Sequence, residues 1–391
     1  MKAFSPCLAI LALLGGLDIT FATDSGPFVP SNPPEMQRLT DHNSPAYRAA
    51  NLFRHGINLG NDLEVPPGEN WNVTYSINDF ASMRAEGFDH VRVPVCWQHY
   101  AGPVPDFALS PEIFAKADWA VTNAMHNHLA VMIDVCHFNA FTTNPASQTG
   151  KLLAIWRQLA AHYVKFPDTL AFELLNEPND AATTQVMNPV YARLVAEIRL
   201  TNPHRTIFVQ PGNWGNIDEM ENLVLTPDNN LIVSVHCYEP FYFTHQGATW
   251  AGDDTQVTGI QYPGPPAKPL VPDPLLKLNP WVLDWIHAYN TLPTAQNPSG
   301  PSAFVDKLKL ARDWSDYYGF PMHVGEWGCY IEADPQSRLR HLTAFRRALE
   351  AEKLGWAMWD WSALFRYWDE KNQRPLPGMH DALFGKTSQD D

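Results

Sequence analysis

Charge is scarce in this chain, and positive charge is the scarcer kind. Of its 391 residues 18% are charged, and 27 Lys and Arg face 42 Asp and Glu, giving a formal net charge of −15. Nucleic acid and anionic membrane surfaces both call for clustered cations, so neither is expected as a partner. Cysteine is sparse too. There are five, none in a Cys-x-x-Cys spacing, so structural zinc lacks its usual ligand pattern. No Gly-x-Gly-x-x-Gly follows a strand-like run, and a dinucleotide site therefore lacks its fingerprint. No repeat of short period is present, and no apolar run reaches the ~20 residues that cross a bilayer. What is abundant is proline: 34 residues, about twice the usual ~5% share, which implies many rigid loops. The 45% apolar content is enough for a sizeable core.

Residues 1–22 read as an export signal. Lys2 supplies a positive start, Cys7–Leu14 a short apolar run, and Thr20-Phe21-Ala22 a small-x-small cleavage site. A buried N-terminal helix is the alternative. Export predicts a secreted or periplasmic protein with no membrane attachment after cleavage. It also removes Cys7 and leaves Cys96, Cys136, Cys237 and Cys329, which can pair in three ways or stay as buried thiols.

Residues 23–50, rich in Pro, Ser and Asn, read as an irregular lead-in to a catalytic domain over 51–391. Within that domain eight apolar runs recur: Gly56–Asn61, His90–Val95, Leu129–Val135, Leu170–Asn176, Thr206–Gln210, Leu231–His236, Met322–Glu326 and Trp356–Trp361. Between them Ile77–Glu86, Glu112–His126, Leu152–Tyr163, Val190–Leu200, Asp306–Tyr317 and Ser337–Lys353 carry apolar residues at helical spacing, with a weaker helix at 216–225. Eight strands alternating with helices predict an α/β fold, a (β/α)8 TIM barrel. The connection from Glu239 to Phe320, 82 residues long, is read as an elaborated insertion after strand six, with a helix at Pro280–Tyr289. A separate small domain is the other reading.

Polar and aromatic residues gather at the C-terminal ends of the runs, where barrel active sites are built. They are Arg92, His137, Asn176, Glu177, His236, Tyr238, Glu326 and Trp359. Singly each could be a satisfied core residue, but eight at corresponding ends are hard to explain as packing. His236 and Tyr238 are two apart and face one way along a strand, and Trp359 and Trp361 are related likewise. Glu177 and Glu326 are candidates for the paired carboxyls of acetal hydrolysis, one protonated to meet the leaving oxygen and one ionised beside the developing oxocarbenium ion. Arg92 is placed to hold the second ionised.

Gly56-Ile-Asn-Leu-Gly-Asn-Asp-Leu-Glu64, Val91-Arg-Val-Pro94, Leu174-Leu-Asn-Glu-Pro178, His236-Cys-Tyr238 and Gly325-Glu-Trp-Gly328 together, in order, resemble glycoside hydrolase family 5, the cellulase family of clan A. The resemblance covers roughly residues 50–385. It implies a retaining glycosidase with Glu177 as acid/base and Glu326 as nucleophile. It further implies that Asn176 bonds the sugar 2-hydroxyl, that Arg92 and Tyr238 hold the nucleophile, that His137 and His236 line the subsite of the cleaved sugar, and that Trp359 is its stacking platform. The third-run motif Asp134-Val-Cys-His137 departs from the family, which usually has an aliphatic residue at the place of Cys136.

These residues predict an endo-β-1,4-glucanase acting on a polysaccharide or oligosaccharide, as a monomer, with no cofactor and no metal. Other specificities of the family are the alternatives: mixed-linkage glucanase, xyloglucanase, mannanase or exo-β-glucosidase. A carbohydrate-binding protein on an inactive barrel is the non-enzymatic reading, against which both glutamates stand. A metal-dependent hydrolase would want His-x-His after strand one, and Gly56–Asn61 has none. Trp97, Trp214, Trp250 and Trp327 are read as sugar platforms or core residues alike. Glu64 is read as a support residue, His126 and His128 as surface, and Arg338, Arg340, Arg346 and Arg347 as a solvated helix face.

Overall fold

The computed structural model describes residues 29–30 and 35–385, so the export signal expected at 1–22 lies outside the described residues. Eight short strands form in chain order: β1 His55–Asn58, β2 His90–Val93, β3 Ala130–Asp134, β4 Leu170–Glu173, β5 Ile207–Val209, β6 Leu231–His236, β7 Met322–Trp327 and β8 Gly355–Met358. Every neighbouring pair is parallel, and β8 closes onto β1 in a barrel. Strands packed on both faces must be apolar throughout, which is why the runs show little alternation. The strands are shorter than the runs that announced them. β4 stops at Glu173 and β8 at Met358, so Asn176, Glu177 and Trp359 stand on the loops beyond.

Helix α1 Pro45–Ala50 precedes the barrel, and α2 Ile77–Glu86, α3 Pro111–His126, α4 Pro145–His162 and α5 Thr184–Arg199 follow the first four strands. Their starts are written in the sequence. Ser76 and Asp79 make a capping box for α2, and the Asn144 side chain accepts from the Ser147 amide ahead of Pro145 for α4. The weak helix expected at 216–225 is a 3-10 turn, Ile217–Asn222.

Residues 45–50 are not irregular. Pro45–Ala50 is a helix, α1, begun by a Ser44 cap and a proline at its first position. Ala46, Ala49 and nearby Phe53 pack with Ala130, Met132, Ala171, Phe208 and Ile232 from β3 to β6, so the lead-in closes the N-terminal mouth of the barrel.

The long connection is ordered. It contains α6 Pro280–Thr291 and ends in α7 Ser302–Tyr318, the helix that leads into β7. Val257, Ile260, Tyr262, Val282, Ile286 and Tyr289 lie buried in the same apolar cluster as the barrel residues, so the segment packs against the barrel instead of forming a core of its own. After β7 comes α8 Pro335–Ala351, and α9 Met379–Phe384 closes the described chain.

On α8 the expectation of a solvated face fails at two of four arginines. Arg338 and Arg346 are buried. Arg338 donates to the carbonyls of Cys329 (2.9 Å) and Arg366 (2.6 Å), and Arg346 to those of Ala382 (3.3 Å) and Gly385 (3.0 Å). The residues at 365–385 cover the face that a lone helix would show to water. The four cysteines are free and buried.

Candidate active site

Arg92, fully buried on β2, organises the C-terminal end of the barrel. Its Nε lies 2.5 Å from Glu173, and its Nη1 2.8 Å from Oε1 of Glu326 and 3.0 Å from Oδ1 of Asn58. Its Nη2 lies 2.7 Å from Asp134 and 2.6 Å from Oδ1 of Asn176. The strand register makes this possible. Asn58 stands beside Arg92 across β1 and β2, and Asp134 beside Glu173 across β3 and β4. One guanidinium thus faces three carboxyls, and although burial pulls its pKa down, Glu173, Asp134 and Glu326 hold it well above the usual value. A buried charge is tolerable only when paired in this way.

The two glutamates meet above this layer. A carboxylate oxygen of Glu177, a carboxylate oxygen of Glu326 and a ring nitrogen of His236 all lie within 4.8 Å of one another. Their surroundings differ. Glu326 is buried on β7 and accepts from Arg92 at 2.8 Å and from the Tyr238 hydroxyl at 2.8 Å. Burial pushes its carboxyl up, against the opposing pull of His236, Arg92 and that hydroxyl. Glu177, half-buried, faces Nδ1 of His236 at 2.9 Å. Burial pushes it up to about 7, opposed by Arg92 and reinforced by Glu173. The backbone of Glu177 has φ of +46°, an uncommon value for a side chain-bearing residue, and is held by a bond from its amide to Gln210 (2.9 Å).

The structure therefore brings Arg92, Asn176, Glu177, His236, Tyr238 and Glu326 into one connected group. His137 is exposed just past β3, with its ring 6.1 Å from that of Trp71. Trp359 is half-buried after β8 and lies over Gly60, where an added Cβ would come within 2.7 Å of the indole. Trp361 does not share its direction. It is buried and stacks on Trp368, because β8 ends before the pair and the period of two no longer applies. Trp97 and Trp327 are buried core residues, whereas Trp214 and Trp250 are 37% and 50% exposed. Glu64 supports the loop after β1. It is buried, accepts from the amides of Asn61 and Asp62, and is pushed by burial up to about 8.

Sequence reasoning missed Asn58, Asp134, Glu173 and Gln210 as site residues. The signal was present for the two acids, since a carboxylate inside a fully buried parallel strand such as Leu170-Ala-Phe-Glu173 needs a partner. 

An eight-stranded barrel with two unlike carboxyls at its C-terminal mouth defines a class, that of the retaining or inverting glycosidases. The family model for cellulase (glycosyl hydrolase family 5) matches residues 56–364, and the chain belongs to that family. Its relatives are distant. Endoglucanase 3 of Fibrobacter succinogenes is 25% identical over 86% of this chain, which spans 53% of that protein's length. Endoglucanase C of Acetivibrio thermocellus is 26% identical, covering 83% of this chain and 95% of its own. Among solved structures, a hyperthermophilic endo-β-1,4-glucanase in complex with substrate is 29% identical with a TM-score of 0.76, covering 87% of this chain and 99% of its own. Cel5A of Thermotoga maritima in complex with cellobiose is 27% identical with a TM-score of 0.75, covering 87% and 100%.

Proposed function

We propose that this protein is an exported, monomeric, retaining endo-β-1,4-glucanase. The observation that carries the reading is the close approach of two carboxyls in unlike surroundings, with oxygens of Glu177 and Glu326 within 4.8 Å. Retaining glycosidases hold their carboxyls ~5–5.5 Å apart and inverting ones ~6.5–9.5 Å, and an oxygen-to-oxygen approach within 4.8 Å fits the closer spacing.

In this reading Glu326, its carboxylate held by Arg92 and Tyr238 against the upward push of burial, attacks the anomeric carbon. Glu177 gives its proton to the leaving oxygen as the glycosidic C–O bond breaks, and an ester to Glu326 forms. Glu177, now a carboxylate, takes a proton from water, which attacks the anomeric carbon and releases Glu326. Asn176, its Oδ1 engaged by Arg92, has its amide hydrogens left for the 2-hydroxyl. His137 and Trp359 flank the sugar. The glucan preference and the endo action are supported by the endoglucanase relatives and by the exposed Trp214 and Trp250, flat rings suited to sugar faces. Export is supported by the opening Lys2, Cys7–Leu14 and Thr20-Phe21-Ala22.

Proton NMR of the first product tests the mechanism. The β-anomer should appear before mutarotation, and an α-anomer would overturn retention. Viscosity of carboxymethylcellulose should fall faster than reducing ends appear, with slower action on lichenan, xyloglucan and mannan. A preference for any of those three, or for aryl glucosides, would overturn the specificity.

A further inference from the structure

We infer that Gln210 is a positioning residue that fixes the tautomer of His236 and, through it, the oxygen of Glu177 that gives up the proton. The inference rests on the reading of Glu177 as the acid.

Gln210 follows β5 and is fully buried. One end of its amide lies 2.9 Å from the backbone N–H of Glu177, which can only donate, so that end is the carbonyl oxygen. The other end lies 2.8 Å from Oε1 of Glu173, a carboxylate whose second oxygen is bound by Arg92 at 2.5 Å. That end is the NH2. Two independent neighbours orient the amide the same way, and a flip would set NH2 against N–H and C=O against a carboxylate.

The same NH2 lies 3.0 Å from Nε2 of His236. An amide NH2 donates, so Nε2 must accept and the hydrogen of the neutral imidazole sits on Nδ1. Burial keeps the ring neutral by pulling its pKa down to about 4, with Glu326 and Glu173 opposing and Arg92 assisting. Nδ1 stands 2.9 Å from Oε1 of Glu177 and 3.6 Å from Oε2 of Glu326. Oε1 of Glu177 thus accepts a hydrogen bond, and the acidic proton is carried on Oε2. Were the tautomer reversed, a bare Nδ1 would itself accept the Glu177 proton and compete with the glycosidic oxygen. The lock also withholds from any cation the lone pair that Glu177, His236 and Glu326 would otherwise offer together.

Long-range proton–nitrogen NMR of the full chain labelled in histidine, with His236→Gln used for assignment, reads the tautomer directly. At neutral pH His236 should show the Nδ1–H pattern, and an Nε2–H pattern overturns the inference whatever the variants do. In Gln210→Met the Nε2–H form should appear. There kcat on a substrate with a poor leaving group should fall on the order of tenfold to a hundredfold, a part of the 10²–10⁴ that general acid catalysis contributes. On a dinitrophenyl glycoside, whose departure needs no proton, kcat/KM, which reads the first step alone, should hold within about threefold on the same ground. Equal slowing on both substrates overturns the inference. If Glu177→Ala is also insensitive to the leaving group, the acid reading has failed. If Glu177→Ala is sensitive and Gln210→Met is not, the failure belongs to Gln210 alone.

Discussion

The two ends of the barrel invite comparison because each buries histidine among aromatic and polar neighbours. At the N-terminal end Nε2 of His90 and Nε2 of His323 lie 3.2 Å apart, ringed by Phe53 and Phe208. Burial, with His90, Arg92 and His236, drives His323 well below its usual pKa. At the C-terminal end His236 is driven down too, yet it lies beside two carboxyls, one of which, Glu177, is only half-buried. Perturbed titration is thus common to both ends. Access and a second, differently held acid belong to one. A shifted pKa becomes a functional sign only when a substrate can reach it, and α1 denies that at the lower end.

Removing either glutamate has the largest expected effect. Glu326→Ala should lower kcat on the order of a million-fold on every substrate, as loss of a covalent nucleophile does elsewhere. Glu177→Ala should cost about 10²–10⁴-fold on poor leaving groups and much less on activated ones, with azide restoring turnover. If both respond alike to leaving group and azide, the roles assigned to them are wrong.

Next comes the charge beneath them. Arg92→Met leaves Glu173, Asp134 and Glu326 without their shared cation, and chemical denaturation should report a loss of ~3–5 kcal/mol, the cost of an orphaned buried charge. A loss below about 1 kcal/mol would mean that the carboxyls simply take up protons. 

The pH dependence of stability follows from several acids at the C-terminal end. Burial pushes Asp62 up to about 6, Glu177 and Asp360 to about 7 and Glu64 to about 8. These groups bind protons more tightly folded than unfolded. Their contribution is therefore full below the ordinary carboxyl range and is lost as pH rises through those folded values. Scanning calorimetry should find Tm falling between pH 5 and pH 8.5, and a rise across that window would show that the acids are ionised in place. Activity should also decline as pH rises through about 7, where Glu177 loses its proton.

Smaller effects sharpen the contrast. Trp250, half-exposed beside Tyr330 on the long connection, should when changed to Ala cost ~1–3 kcal/mol in kcat/KM on long glucans and much less on a short aryl glycoside. Equal losses would make it a fold residue. At the closed end, His323→Phe should cost ~1–3 kcal/mol of stability, because it leaves Nε2 of His90 buried without its partner, and should leave kcat unchanged. A tenfold drop in kcat would tie the two ends together.

The barrel was legible because the strands are buried on both faces and therefore mostly apolar. The site was legible where its residues close a run, as Glu177, His236 and Glu326 do. It was easier to miss where they stand inside one, as Glu173 and Asp134 do, because an apolar count absorbs a single charge and only the need of a buried carboxylate for a partner gives it away. Arg338 and Arg346 misled for another reason. An amphipathic pattern assumes water on the polar face, and the later chain that covers that face leaves no mark in the pattern. Gln210 closes the run Thr206–Gln210 and carried the same signal, but its partners Glu173, Glu177 and His236 lie on or just beyond β4 and at the end of β6, so its place in the site shows only in the fold.

The helix at 45–50 bears on where the autonomous folding unit begins. The stretch that matches the family starts at residue 56, yet the inner wall made by Met132, Phe208 and Ile232 is capped from outside that stretch. A version trimmed to the family boundary would present this wall to solvent as a greasy socket at the foot of the barrel. Such a truncation is expected to aggregate on expression even with every residue of the cleft intact, so inactivity in a trimmed protein would speak of solubility before it spoke of chemistry.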